Sequence, residues 1–288
     1  MRFYGRPMSM HRILHLSDTH VSATGADADG VDGLAALRGL LRDLHDVPDI
    51  DAVVVTGDIA DDGSAAGCRA VREAVGDFAR ERGVPQIYTT GNHDDRAAFE
   101  EALGSGHLDA GGRDVGRLVA GPGVRCAVSE VGGLRIITLD SLVPGSAYGE
   151  LGDEQLVGLR QLLSRPAPAG SVIALHHPPI DPPYSPLAMI GLRSPERLAA
   201  AIAGTDVRAV LCGHFHLQLS GSLGAVPVWV VPGVVTRIDL TAAPRFARAV
   251  TGAGAALVDL PPGSGLRCHT LMARDPGAGR EVYLVDRF

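Results

Sequence analysis

Five short apolar runs in this chain end in the same kind of side chain. Arg12-Ile13-Leu14-His15-Leu16-Ser17 leads into Asp18-Thr19-His20, and Asp51-Ala52-Val53-Val54-Val55-Thr56 leads into Gly57-Asp58-Ile59-Ala60-Asp61. Gln86-Ile87-Tyr88-Thr89-Thr90 leads into Gly91-Asn92-His93-Asp94-Asp95, and Ser171-Val172-Ile173-Ala174-Leu175 leads into His176-His177-Pro178-Pro179. Val207-Arg208-Ala209-Val210-Leu211 leads into Cys212-Gly213-His214-Phe215-His216. Apolar runs of this length, bounded by turn residues, read as buried strands. Amphipathic stretches separate the first three. Leu34, Leu37, Leu40, Leu41 and Leu44 fall at helical spacing and predict a helix over 32–46. Val71, Val75, Phe78 and Ala79 predict another over 64–82. Strands alternating with helices imply a mainly parallel sheet with right-handed crossovers. Such sheets gather their functional groups at the carboxyl ends of the strands, so one pattern constrains both the fold and the place of the chemistry.

Further along, residues 104–116 read as loop. Gly132-Gly133 between two apolar runs is a hairpin signal, and 153–164 reads as a helix. Residues 181–192 form a proline-stiffened loop whose Tyr184, Met189 and Leu192 could wall an apolar slot. The stretch 143–150 is expected at the same rim. Ser194-Pro195-Glu196 has the form of a helix start, with Ser194 as N-cap and Pro195 at N1. Beyond His216 the chain turns β-rich, with strands expected at 217–223, 226–231, 255–260, 266–272 and 281–285. No repeat or linker divides it. The expected organisation is one domain over 11–288, with two sheets packed face to face, after a disordered extension over 1–10.

The net charge of −7 argues against a nucleic-acid partner, which calls for a basic face. It does not argue against a small anionic substrate, because bound divalent cations would reverse the local charge. Cys68, Cys126, Cys212 and Cys268 lie far apart with no CxxC, which reads as free thiols in a reducing compartment. No apolar run is long enough to span a membrane, and the first residues lack the apolar stretch of a secretory signal. A cytoplasmic protein without a membrane partner is expected. The apolar 181–192 loop and the β-rich 217–285 region offer surfaces for a homodimer.

Taken together, the strand ends present Asp18, His20, Asp58, Asn92, His93, His176 or His177, His214 and His216. Any one of these has an ordinary explanation as a cap, a turn residue or a buried, hydrogen-bonded imidazole. Their recurrence at all five ends does not. Mixed Asp, His and Asn donors suit Mn, Fe, Co or Zn, and the lack of thiolate among them argues against a structural Zn–Cys site. Seven or eight donors exceed the needs of one ion and suit two, bridged by a carboxylate.

The ordered series D-x-H, G-D-x-x-D, G-N-H-D, H-H-P-P and G-H-x-H over residues 12 to about 235 resembles the calcineurin-like metallophosphoesterase superfamily. Leu16-Ser17-Asp18-Thr19-His20, Gly91-Asn92-His93-Asp94-Asp95-Arg96, Ala174-Leu175-His176-His177-Pro178-Pro179 and Gly204-Thr205-Asp206-Val207-Arg208-Ala209 most resemble the bacterial class III cyclic-nucleotide phosphodiesterases. The resemblance implies an α/β fold, a four-layer α/β/β/α sandwich of two mixed sheets. It implies two divalent cations, one held by Asp18, His20 and His216, the other by Asn92, His176 and His214, with Asp58 bridging. His176 rather than His177 follows from the family's H-x-P ligand. The implied reaction is attack by a hydroxide held between the cations on a 3′,5′-cyclic nucleotide such as cyclic AMP. His93, held by Asp61, is the expected acid for the leaving oxygen, and Asn92, His93 and His214 are expected against the substrate. A glycerophosphodiesterase, a broad phosphodiesterase and a non-catalytic scaffold of the same fold are the alternatives. A histidine that related enzymes can carry in the 143–150 loop is missing here.

Overall fold

The structure, a computed structural model, describes residues 10–286 except 28, 122, 183, 184 and 244. The expected extension over 1–10 lies outside the described residues apart from Met10, and so does Tyr184. In chain order the first elements are β1 (His11–Leu16), α1 (Gly33–Asp43), β2 (Ala52–Thr56), α2 (Ala65–Arg82), β3 (Gln86–Thr89), α3 (Arg96–Leu103) and β4 (His107–Leu108). There follow β5 (Arg117–Leu118), β6 (Ala127–Val131), β7 (Leu134–Thr138), α4 (Asp153–Leu163), β8 (Ser171–Ala174), α5 (Ser185–Ala188), α6 (Pro195–Ile202), β9 (Val207–Cys212), β10 (Leu219–Leu223) and β11 (Val226–Val230). The chain closes with β12 (Arg237–Ile238), β13 (Phe246–Val250), β14 (Gly254–Leu260), β15 (Arg267–Met272) and β16 (Glu281–Asp286).

Local chemistry sets the helix limits. Ser64 Oγ accepts the Gly67 N–H and caps α2, and Gly83 closes it at φ 66°. Asp32 caps α1 and Asp95 caps α3 in the same way. Ser194 departs from expectation. It precedes Pro195, but its own backbone is left-handed, with φ 50°, and its hydroxyl makes no capping bond. The loop expected over 104–116 contains the short strand β4, which pairs antiparallel with β3.

Two mixed sheets carry the molecule. The first runs β15-β14-β1-β2-β3-β4 with β1, β2 and β3 parallel. The second runs β10-β11-β9-β8-β7-β6-β5 with β11, β9, β8 and β7 parallel. Side chains alternate across each strand, and that alternation builds the layers. Ile13, Val54 and Ile87 of the first sheet meet Ile136, Val172 and Leu211 of the second in one apolar interior. Their neighbours Leu14, Val53 and Val55 face α1 and α2 through Leu37, Leu40, Val71 and Val75. Ile137, Ile173 and Val210 face α4 and α6 through Leu156, Leu159, Leu198 and Ile202. The result is the four-layer α/β/β/α sandwich. A third sheet, β12-β13-β16, was not expected, because the Phe246–Val250 segment and its two-residue neighbour show no strand signal of their own. Among the described residues no helix is long and apolar enough to cross a membrane. Cys68, Cys126, Cys212 and Cys268 are free.

Candidate metal centre

All five expected strand ends meet at one place. β1, β2 and β3 are neighbours and end on the same side, as do β8 and β9. The loops that leave them are bonded into one block: Asp18 N–H donates to Gly57 O at 3.1 Å, His20 N–H to Asp58 O at 3.0 Å and Gly213 N–H to His176 O at 3.1 Å. The turns are tight. A Cβ on Gly213 would stand 1.7 Å from Ser17 Oγ, and one on Gly91 would stand 2.2 Å from Asp58 N and Oδ1, so neither position accepts another residue without rearrangement. The backbone is also strained where it presents the donors. Seven described residues other than glycine have positive φ, and five of them are Asp18 (55°), His20 (42°), Asp58 (48°), His214 (71°) and His216 (48°). That conformation costs an L-residue on the order of 1–2 kcal/mol, and such strain concentrates at functional sites.

The side chains converge. His176 Nε2 lies 3.2 Å from Asp58 Oδ2, 3.2 Å from Asn92 Oδ1 and 3.1 Å from His214 Nδ1. His20 Nε2 lies 3.4 Å from Asp58 Oδ2 and 3.2 Å from His216 Nε2, which is itself 3.4 Å from Asp18 Oδ1. Asp18 accepts the His214 N–H on both oxygens, and Asp58 Oδ1 accepts the His93 N–H at 2.9 Å. Asp58 Oδ2 thus lies within reach of histidines from both sheets.

Acceptors behind the rings settle their protons. His20 Nδ1 donates to Asp61 Oδ1 at 2.9 Å, His176 Nδ1 to Thr56 O at 2.7 Å and His214 Nε2 to Ile190 O at 2.8 Å. His216 Nδ1 is 2.8 Å from Thr236 Oγ1. An imidazole that ligates a cation is neutral and holds one proton, so with these outer nitrogens committed the inner nitrogens of His20, His176 and His214 are the ones that would turn lone pairs to a cation. Rings held this way by outer partners are the usual setting of metal-ligating histidines, and the Asp, Asn and imidazole donors fit divalent cations of the Mn, Fe, Co or Zn kind. Burial pulls His176 down, but the charge and hydrogen bond of Asp58 outweigh it and raise the ring to about 9. Burial would lift Asp58, yet His176 and His20 hold it well below the usual carboxylate range.

Two expectations are modified. Asp61, expected to hold His93, makes its shorter bond to His20, while His93 Nδ1 stands 3.4 Å from the same Asp61 oxygen and donates to the Asp61 carbonyl at 3.2 Å. Leu192, expected to line a slot, is buried in the core beneath the second sheet. His177 is buried beside His176, with Nδ1 2.8 Å from Ser141 Oγ. Three partners went unread. Thr236 and the Ile190 carbonyl carry no sequence signal, whereas Asp94 stood in the G-N-H-D motif without a role. Its carboxylate accepts backbone N–H groups of Ile59, Ala60 and Gly91 at 2.8–3.1 Å, clamping the Asp58 and Asn92 loops together.

A cleft of about 290 Å³ opens above these donors, bordered by Leu187 and Ile190 on one side and by Thr236, Ile238 and Tyr283 on another. Ala147 reaches it from the 143–150 stretch, and Asp27 and Asp29 line it as well.

Comparison with known proteins agrees with this geometry. A family model described as calcineurin-like phosphoesterase matches residues 11–218. A probable cyclic nucleotide phosphodiesterase of Rhodococcus erythropolis is 37% identical over 235 residues, 81% of this chain and 74% of its own. A cAMP/cGMP dual specificity phosphodiesterase of Mycobacterium tuberculosis is 36% identical over 272 residues, 91% of this chain and 80% of its own. Among solved structures, the purple acid phosphatase PPD1 of yellow lupin (Lupinus luteus) matches in fold with a TM-score of 0.55 at 15% identity. That match covers 91% of this chain and 53% of the lupin protein, so this chain spans about half its length.

Proposed function

Because this chain belongs to the calcineurin-like phosphoesterase family, we propose that it hydrolyses 3′,5′-cyclic nucleotides at a centre of two divalent cations. The observation that carries the reading is the convergence of seven donor residues from both sheets, their outer ring nitrogens already committed to acceptors. Asp18, His20 and His216 would hold one cation and Asn92, His176 and His214 the other, with Asp58 between them. When bound, the pair supplies a nucleophile from water at neutral pH and positive charge opposite the phosphate oxygens.

The chain's own groups do the rest. Asp61 holds the His20 ring through Nδ1, and Thr56 O does so for His176. Asp58 positions His93 through its N–H. With Nδ1 donating to the Asp61 carbonyl, an imidazolium at His93 has its Nε2 proton free for the leaving ribose oxygen. Asn92 and His214 line the same cleft and would complete the contacts to the phosphate. The cytoplasm, where free thiols such as the buried Cys68, Cys126 and Cys212 persist, is the compartment that suits it.

Hydrolysis by metal-stripped protein, with Mn²⁺ restored, tests this on cyclic AMP, a glycerophosphodiester, bis(p-nitrophenyl) phosphate and p-nitrophenyl phosphate. Mn²⁺-dependent turnover of cyclic AMP, with the highest kcat/KM of the four, is expected. A higher kcat/KM for the glycerophosphodiester, or turnover of the monoester alone, would replace the substrate reading.

A further inference from the structure

The third sheet has a place at the cleft that the metal loops do not explain. Ile238 of β12 pairs with Ala249 of β13, which pairs with Tyr283 of β16. Paired residues of antiparallel strands share a face, so Ile238, Ala249 and Tyr283 form one row across the sheet. Ala249 is fully buried, which turns this face toward the body of the protein, and the row's outer members both border the cleft. The sheet is fastened to the centre. Val234 and Val235 donate to the Ser17 and Asp18 carbonyls at 3.0 Å, Ile238 donates to His216 O at 2.9 Å, and Thr236 Oγ1 meets His216 Nδ1.

The wall beside His214 is fastened too. Leu187 and Ile190 border the cleft there, and the Ile190 carbonyl accepts from His214. Each of the two histidines of the G-H-x-H turn therefore carries one wall. The cleft thus joins a floor of polar donors to walls in which Leu187, Ile190, Ile238 and the Tyr283 ring stand among Thr236, Asp27 and Asp29. A substrate with a phosphate at one end and a flat, weakly polar body at the other matches that division. Glycerol esters have no such body.

We propose that Tyr283 and Ile238 of the third sheet, with Leu187 and Ile190 of the same cleft, form the nucleobase subsite, with the Tyr283 ring stacking on the base. The proposal rests on the cyclic-nucleotide reading of the metal centre. It makes Tyr283 a specificity-determining residue contributed by a sheet separate from the two that hold the cations.

Tyr283→Ala and Tyr283→Phe in the full, Mn²⁺-loaded chain test it, with KM and kcat for cyclic AMP and calorimetric affinities for AMP and inorganic phosphate. Tyr283→Ala should raise KM for cyclic AMP and Kd for AMP about tenfold, the scale of one lost base–aromatic stack. It should lower kcat by less than it raises KM and leave phosphate affinity alone, and Tyr283→Phe should restore the wild-type KM. An unchanged Kd for AMP in Tyr283→Ala overturns the subsite, as does a parallel loss of phosphate affinity, which would mark damage to the centre. AMP binding requires no turnover, so it judges the wall even if wild-type protein fails to hydrolyse cyclic AMP, the outcome that would defeat the parent reading instead.

Discussion

His93 is the exposed member of the cluster, with 42% of its side chain open to solvent, whereas His176 is fully enclosed. A group that meets a leaving oxygen needs that access; a group that only grips a cation does not. Asp61 couples the two roles, since one of its oxygens faces both His20 and His93. If His93 serves as the acid, His93→Ala keeps both cations and lowers kcat on cyclic AMP by about 10²–10⁴-fold. The loss should be smaller on bis(p-nitrophenyl) phosphate, whose leaving group needs no proton. Metal analysis beside the kinetics checks both halves, and loss of one ion in the variant would make His93 a ligand instead.

At the level of the element, a buried histidine ties the two sheets together. His107 of β4 lies between Ser129 Oγ of β6 at 2.7 Å and Thr138 Oγ1 of β7 at 3.0 Å. Burial pushes its ring down to about 3, so the folded protein keeps it neutral. Once unfolded, the ring takes up a proton below about pH 6.5. Stability is therefore lost as the pH falls through that window. His107→Gln should flatten the dependence by up to about 1.4 kcal/mol per pH unit between pH 4 and 6. Urea midpoints across that range measure it, and an unchanged slope would refute it. Residues 104–116 read as loop because a two-residue strand rich in glycine neighbours has no periodicity to show. The strands that carry the centre were legible for the opposite reason: β1, β2, β3, β8 and β9 are continuous apolar runs, buried on both faces, each followed by a donor. Thr236, Ile190 and the third sheet were not legible, because a hydroxyl, a main-chain carbonyl and a register are contributions of tertiary placement. Ser194 looked like a cap and proved left-handed, since its letter does not specify its backbone angle.

Across the whole molecule, the proposed cation donors divide between the sheets. Asp18, His20, Asp58 and Asn92 leave the first, and His176, His214 and His216 leave the second. Bound cations would cross-link the sandwich at one edge. Stripping both with a chelator should lower the melting temperature by roughly 15 °C, if each ion is held at about a thousandfold excess over its dissociation constant. Calorimetry with and without EDTA gives the value, and a melting temperature indifferent to verified metal loss would mean the block of loops stands without them. The left-handed backbone at Asp18, His20, Asp58, His214 and His216 has a consequence across generations. A glycine at any of these positions would relieve strain and remove a donor in the same substitution. Relief of backbone strain and loss of a donor therefore come together here, and the stability that a bound cation would add outweighs the strain relieved. A lineage that lost one of these donors would thus lose turnover and cation-borne stability in one step, so the strained turns are held in place twice over.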